Sequence, residues 1–214
     1  MMSYLKRFCV LVVMGVFLTG MMVARAEEAP DALVKRVSQE VVDLAKTDKD
    51  VQAGNQKRVL DLVESKIIPH VNFEHMTALA AGRFWREATE EQQKRLTNEF
   101  HHLLVYTYSG AIAQIKDQKL EFKPMRGEVS DVRVEVRSRV MPARGGEPLQ
   151  LDYRLEKTPS GWVIYDMNIL GAWLIETYKA SFASEVARTG IDGLIQVLVE
   201  KNKRLALAKT GKTS

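Results

Sequence analysis

Beyond residue 26, apolar positions recur first at helical spacing, then every second residue, then at helical spacing again. Leu33, Val34, Val37, Val41 and Leu44 share one face of a helix running from Asp31 to about Lys49. The polar stretch Asp48 to Asn55, with Gly54, reads as a turn. Val59, Leu60, Val63 and Ile67 continue the helical spacing over Gln56 to Ile68, and Pro69 stops it. Asn72 is placed to cap a short helix bearing Phe73, Met76 and Leu79, which Gly82 ends. Thr89-Glu90-Glu91-Gln92 has the form of a capping box. It opens a helix expected to reach about Lys116. Leu96, Phe100, Leu103, Leu104, Thr107, Tyr108, Ala111, Ile112 and Ile115 give that helix a face too wide for one covered on a single side.

The period then falls to two. Val132, Val134, Val136 and Val140 alternate with Arg133, Glu135, Arg137 and Arg139, and Leu149, Leu151, Tyr153 and Leu155 alternate with Gln150, Asp152, Arg154 and Glu156. Pro142 to Pro148, with Gly145-Gly146, reads as a hairpin loop, and Pro159-Ser160-Gly161 as a second turn. Trp162 to Ile169 forms a third strand, and Lys119 to Lys123 adds a short edge strand. Such hairpin-linked strands are antiparallel, with one dry face that helices must cover. Ala172 to about Arg188 is helical again, Thr189-Gly190 ends it, and Asp192 caps a last helix. The class is α+β, with helices packed on one face of an antiparallel sheet.

Residues 1–26 stand apart. Lys6 and Arg7 precede an almost uncharged run from Phe8 to Val23, and Ala24-Arg25-Ala26 is a small-x-small site. This is the pattern of a secretory signal peptide, its apolar run too short for an ordinary membrane span. Taking Lys6, Arg7 and Arg25 from the formal net charge of +4 leaves +1, and Cys9, the single cysteine, leaves with them. The exported chain then has no disulfide, thiol nucleophile or thiolate metal site, and its stability rests on its core. Residues 201–214 carry Lys201, Lys203, Arg204, Lys209 and Lys212 and no acid, a basic tail on a 27–200 body of net charge −4. That body is unsuited to nucleic acid, whose binding needs clustered cations.

Candidate chemistry is sparse. Ser109-Gly110 lies within a helix and lacks the first glycine of a nucleophile elbow. Gly145-Gly146 sits in a hairpin and does not open a helix, so it forms no phosphate loop. His70 and Glu74 are four apart, with His75 and His102 as further zinc ligands, but nothing in the spacing brings a set together. Asp166, beside Tyr165 on the third long strand, is placed either as a buried acid in a cavity or as a partner for an arginine. The surplus is apolar and aromatic, suited to an ordinary core or to a pocket for an apolar ligand.

Leu149-Gln150-Leu151-Asp152-Tyr153-Arg154, Gly161-Trp162-Val163-Ile164-Tyr165-Asp166-Met167, Gly171, and Thr189-Gly190-Ile191-Asp192-Gly193-Leu194-Ile195 resemble the MlaC, or toluene-tolerance, family. Ile68-Pro69-His70-Val71-Asn72-Phe73 and Trp85-Arg86-Glu87-Ala88-Thr89, with Gln92 and Phe100, fit the same pattern in order. The resemblance covers nearly all of the chain beyond residue 26. It implies a curved antiparallel sheet of the nuclear-transport-factor-2-like type, wrapped by N- and C-terminal helices around an apolar pocket. It also implies a periplasmic phospholipid carrier, with no cofactor and no catalysis. Such a carrier exchanges lipid with an outer-membrane lipoprotein complex and an inner-membrane ABC transporter complex. Where the family pattern has Glu-Gly-Val-Ser after the last long strand, this chain has Leu170-Gly171-Ala172-Trp173, which adds bulk near the expected pocket mouth.

Under that reading, face and period nominate twelve lipid-binding residues. They are Leu79, Trp85, Phe100, Leu104, Tyr108 and Ile112 from the helices, Leu151, Tyr153, Tyr165 and Met167 from the strands, and Trp173 and Leu174 beyond them. Without a clustered set of basic residues in the body, the lipid headgroup is expected to stay in solvent. The alternatives are an enzyme on the same cone-shaped fold, using Asp166 and Tyr165 or a histidine, and a binding protein for a polar solute. The second needs two α/β lobes, and no βαβ alternation is present.

Overall fold

The computed structural model describes residues 27–115, 118–125, 131–142 and 145–210. Residues 1–26, where the signal peptide is expected, and the end of the basic tail lie outside them. Among the described residues, six α-helices, α1 (Pro30–Thr47), α2 (Lys49–Gln52), α3 (Gln56–Lys66), α4 (Phe73–Ala81), α5 (Glu90–Tyr108) and α6 (Leu174–Thr210), accompany five strands. The strands are β1 (Lys119–Phe122), β2 (Arg133–Met141), β3 (Leu149–Thr158), β4 (Gly161–Ile169) and β5 (Ala172–Trp173), and they form an antiparallel meander in sequence order.

Two of the expected caps form. Asn72 accepts the His75 amide, and Thr89 with Gln92 closes a complete capping box. Other boundaries move. The α-helical part of α5 ends at Tyr108, and Ser109–Gln114 continues as a 3₁₀ turn. Ala172 and Trp173 pair with Ile169 and Asn168 as a strand, so the following helix starts only at Leu174. That pairing needs the tight turn Leu170–Gly171, with positive φ at both residues, 56° and 89°. Beyond it α6 runs to Thr210, broken at Gly190, whose φ of 74° only glycine adopts cheaply. Asp192 does not cap there; its carboxylate accepts a hydrogen bond from Gln92 Nε2 at 3.0 Å.

The core comprises three clusters. Leu33, Val34 and Val37 of α1 pack on Val134, Val136, Tyr153, Leu155, Trp162 and Ile164, the inner sheet face. Val41 and Ala45 join α1 to α2, α3 and the end of α5. The third core lies between α4, α5 and α6, around Met76, Phe100, Leu103, Phe182 and Ile195.

One irregularity positions everything that follows. Leu155 faces Ile164, but Arg154 faces Asp166, so Tyr165 is an extra residue in β4. A β-bulge of this kind shifts the alternation by one. Trp162 and Ile164 point inward before it and Met167 and Ile169 after it, through their partners Tyr153 and Leu151. Asp166 and Asn168 pass to the outer face.

Candidate functional site

Between α1 and the inner face of the sheet lies a cavity of about 150 Å³. α1 contributes Val34, Val37, Ser38, Val41 and Val42, and the sheet contributes Leu120, Leu151, Tyr153, Ile164 and Met167. Ile67 and Ile112 complete the wall. Val34, Val37, Val41 and Val42 recur at helical spacing, so one stripe of α1 faces the sheet. The bulge brings both Ile164 and Met167 onto that wall.

Two of these side chains carry polar atoms, and they pair. Ser38 Oγ and the Tyr153 hydroxyl are 3.2 Å apart. Ser138 Oγ donates to the Leu151 carbonyl at 2.5 Å. The Ser38–Tyr153 bond gives both hydroxyls a partner inside an apolar site. Burial pushes the Tyr153 hydroxyl up to about 12, so it stays protonated.

Of the twelve residues nominated from sequence, Ile112, Leu151, Tyr153 and Met167 converge on this cavity. Phe100, Leu104 and Leu174 are buried in the α4–α5–α6 core, with Trp85, Tyr108 and Tyr165 packed against it. Leu79 is exposed. Trp173 lies across the sheet, on its outer face, with the Arg154 guanidinium 3.8 Å above its ring. The added bulk of Trp173 is therefore taken up by a polar groove beside Arg137 and Asp152, away from the cavity. The contribution of α1 was missing from the sequence reading. Its run of valines, poor helix formers retained on one stripe, was the available signal.

Asp166 is fully buried and fully engaged. Its Oδ1 accepts the amides of Ile175 at 3.1 Å and Met167 at 2.9 Å, and Oδ2 accepts Arg154 Nη1 at 3.1 Å. It thus fastens the start of α6 to β4 and does not reach the cavity. Burial raises its pKa above the ordinary 3.8, and the Ile175 amide and Arg154 pull it partly back. The folded protein then holds this proton to a higher pH than the unfolded chain does. The group therefore costs stability as pH rises from 3.8 through its raised pKa. Melting curves over that range should show the native protein losing stability relative to Asp166→Asn. Parallel curves would show that Asp166 keeps its ordinary pKa.

His75 is likewise committed, its Nδ1 2.7 Å from Glu156 Oε1, which also accepts Asn72 Nδ2 at 3.1 Å. Among the described residues, no three His, Cys, Asp or Glu side chains group to hold a metal, and no helix is long and apolar enough to cross a membrane.

Residues 35–200 match the family model described as MlaC protein. The chain belongs to the MlaC family. Within it, the sequence is 22% identical over 168 residues to toluene tolerance protein ttg2D of Pseudomonas putida, covering 78% of this chain and 77% of that one. The fold matches a phospholipid-binding protein from Ralstonia solanacearum, solved in complex with a phospholipid, with a TM-score of 0.77 and 45% identity. That match covers 82% of this chain and 98% of the other. This MlaC chain thus shares an α+β architecture, with a five-stranded antiparallel sheet, with a protein seen holding lipid.

Proposed function

We propose that this MlaC protein is a periplasmic phospholipid carrier that sheathes acyl tails in the cavity between α1 and the sheet. The observation that carries the reading is the lining. Among the described residues it holds aliphatic side chains, Met167 and the Ser38–Tyr153 pair, with no carboxylate, imidazole or cation. Such a wall suits hydrocarbon and offers no acid or base for catalysis. The phospholipid-bound relative supports the same reading. In it the chain acts without a cofactor and as a non-enzyme, with Asp166 and His75 in structural roles.

Magnitudes set the mechanism. Two acyl chains contain roughly 30 methylenes at about 0.8 kcal/mol each, so exposing both to water costs on the order of 20 kcal/mol. Lipid therefore passes only in contact with a partner that offers an apolar path. The partners in this reading are the inner-membrane ABC transporter complex and the outer-membrane lipoprotein complex, with residues 1–26 removed on export. A cavity of about 150 Å³ is smaller than small-molecule pockets usually are, about 300 Å³ upward. Its walls must part as chains enter. α1, which provides five of the lining residues and meets Tyr153 through Ser38, is the wall that yields.

Native mass spectrometry of the protein purified from periplasm without detergent tests the reading. The expected result is a bound mass of one or two phospholipids, released on unfolding. A lipid-free protein that also takes up none from vesicles would overturn it.

A further inference from the structure

A hydrogen bond joins the two walls of the cavity. Ser38 Oγ stands on α1 and the Tyr153 hydroxyl on β3, and they meet at 3.2 Å. Every other lining side chain is aliphatic or, at Met167, a thioether. The two partners are held differently. Ser38 is half-buried, on the helix that yields as the cavity fills. Tyr153 is 5% exposed on the central strand, in register between Val136 of β2 and Met167 of β4. Pairing on both sides anchors it, so its hydroxyl cannot follow α1 outward.

A chain lying between the walls breaks this bond. A methylene between the two oxygens needs about 3.5 Å on each side, hence roughly 7 Å between them, more than twice the 3.2 Å observed. Ser38, half-buried, can turn to water. Tyr153 cannot, and a saturated chain offers it neither donor nor acceptor. Plain hydrocarbon therefore leaves a buried phenol one hydrogen bond short, which opposes binding. An oxygen on the cargo at the same depth restores that bond. Burial keeps the phenol protonated, so it donates to such an oxygen.

We infer that Tyr153 determines specificity within the cavity, selecting lipids that bring a hydrogen-bonding oxygen to it, either an ester carbonyl or a hydroxyl on the acyl chain. The inference rests on the carrier reading and adds to it a class of preferred cargo. Ser38 has the complementary part. It satisfies Tyr153 in the closed cavity and so competes with all cargo alike. The preference is that of one hydrogen bond in an apolar site, about tenfold.

Two measurements test it. The purified protein is exchanged in detergent micelles with an equimolar mixture of three phosphatidylglycerols: a diester, a saturated diether without carbonyls, and a diether with a hydroxyl at mid-chain. Native mass spectrometry reads the bound ratios. The native protein should hold an oxygen-bearing lipid about tenfold over the plain diether. Preference for the diester assigns the carbonyl, and preference for the hydroxy-diether the chain hydroxyl. Tyr153→Phe, which keeps the ring, should bring the ratio close to one. A native protein that does not discriminate, or a preference that survives Tyr153→Phe, would overturn the inference while leaving carriage intact. Uptake of none of the three would defeat the carrier reading itself. Second, Ser38→Ala gives a test that does not depend on Tyr153→Phe folding. Its closed cavity has no Ser38 bond to lose, so affinity for the plain diether should rise about fivefold, the worth of one ordinary hydrogen bond. Unchanged affinity would show that loading does not part Tyr153 from Ser38, and would remove the basis of selection.

Discussion

Replacing Ser38 by Phe is expected to give a folded protein that purifies without phospholipid. Ser38 sits on the cavity side of α1 and is only half-buried, so the larger ring is aimed into existing space. The ring occupies volume that about six methylenes of an acyl chain would otherwise fill. At about 0.8 kcal/mol each, that is roughly 5 kcal/mol of lost affinity, or more than a thousandfold. The cost to the fold is smaller, about 1 kcal/mol for the lost bond to Tyr153. Native mass spectrometry reads the first effect and thermal melting the second. A variant that retains a full lipid load would show that the tails lie elsewhere.

Replacing Asp166 by Ala should act in the opposite way, on stability and not directly on cargo. The carboxylate satisfies the amides of Ile175 and Met167 and balances Arg154. Its removal leaves two buried donors and a cation without their acceptor, at a cost of about 3 kcal/mol. For a domain of this size the melting temperature should fall by roughly 6–12 °C. Asp166→Asn, which keeps one acceptor oxygen, should lose less. Protein that remains folded should still bind lipid, because the side chain does not reach the cavity. Loss of binding without loss of stability would instead place Asp166 at the functional site and reopen the enzymatic alternative.

The two residues also show what could be read from the chain. Thr89 and Asn72 were legible as caps because a cap is decided within three or four residues. The alternation of β2 and β3 was legible because period and pairing agree there, Val134 with Leu155 and Val136 with Tyr153. The side on which Asp166 falls was not legible. Along β4 it alternates in step with Trp162 and Ile164, and only the extra residue Tyr165, set by pairing with β3, turns it outward. Trp173 was read as helical because nothing local reveals that Ala172 and Trp173 will pair with Ile169 and Asn168.

By itself the sequence determined the class of the fold, the meander of strands, most helix starts and the MlaC resemblance, since these follow from spacing, capping and ordered motifs. It also showed a surplus of apolar and aromatic residues, without separating core from pocket. Only the tertiary structure decided which apolar residues enclose space and which fill it. Phe100 and Leu104 share a helical stripe with Ile112, yet the first two are packed between α4, α5 and α6 while Ile112 meets the cavity. Core and cavity walls are built from the same residue types, and the hydrophobic effect drives both out of water equally. What separates them is whether a second apolar surface arrives to close the gap, and that depends on contacts between α1, the bulged β4 and the end of α5, which lie far apart along the chain.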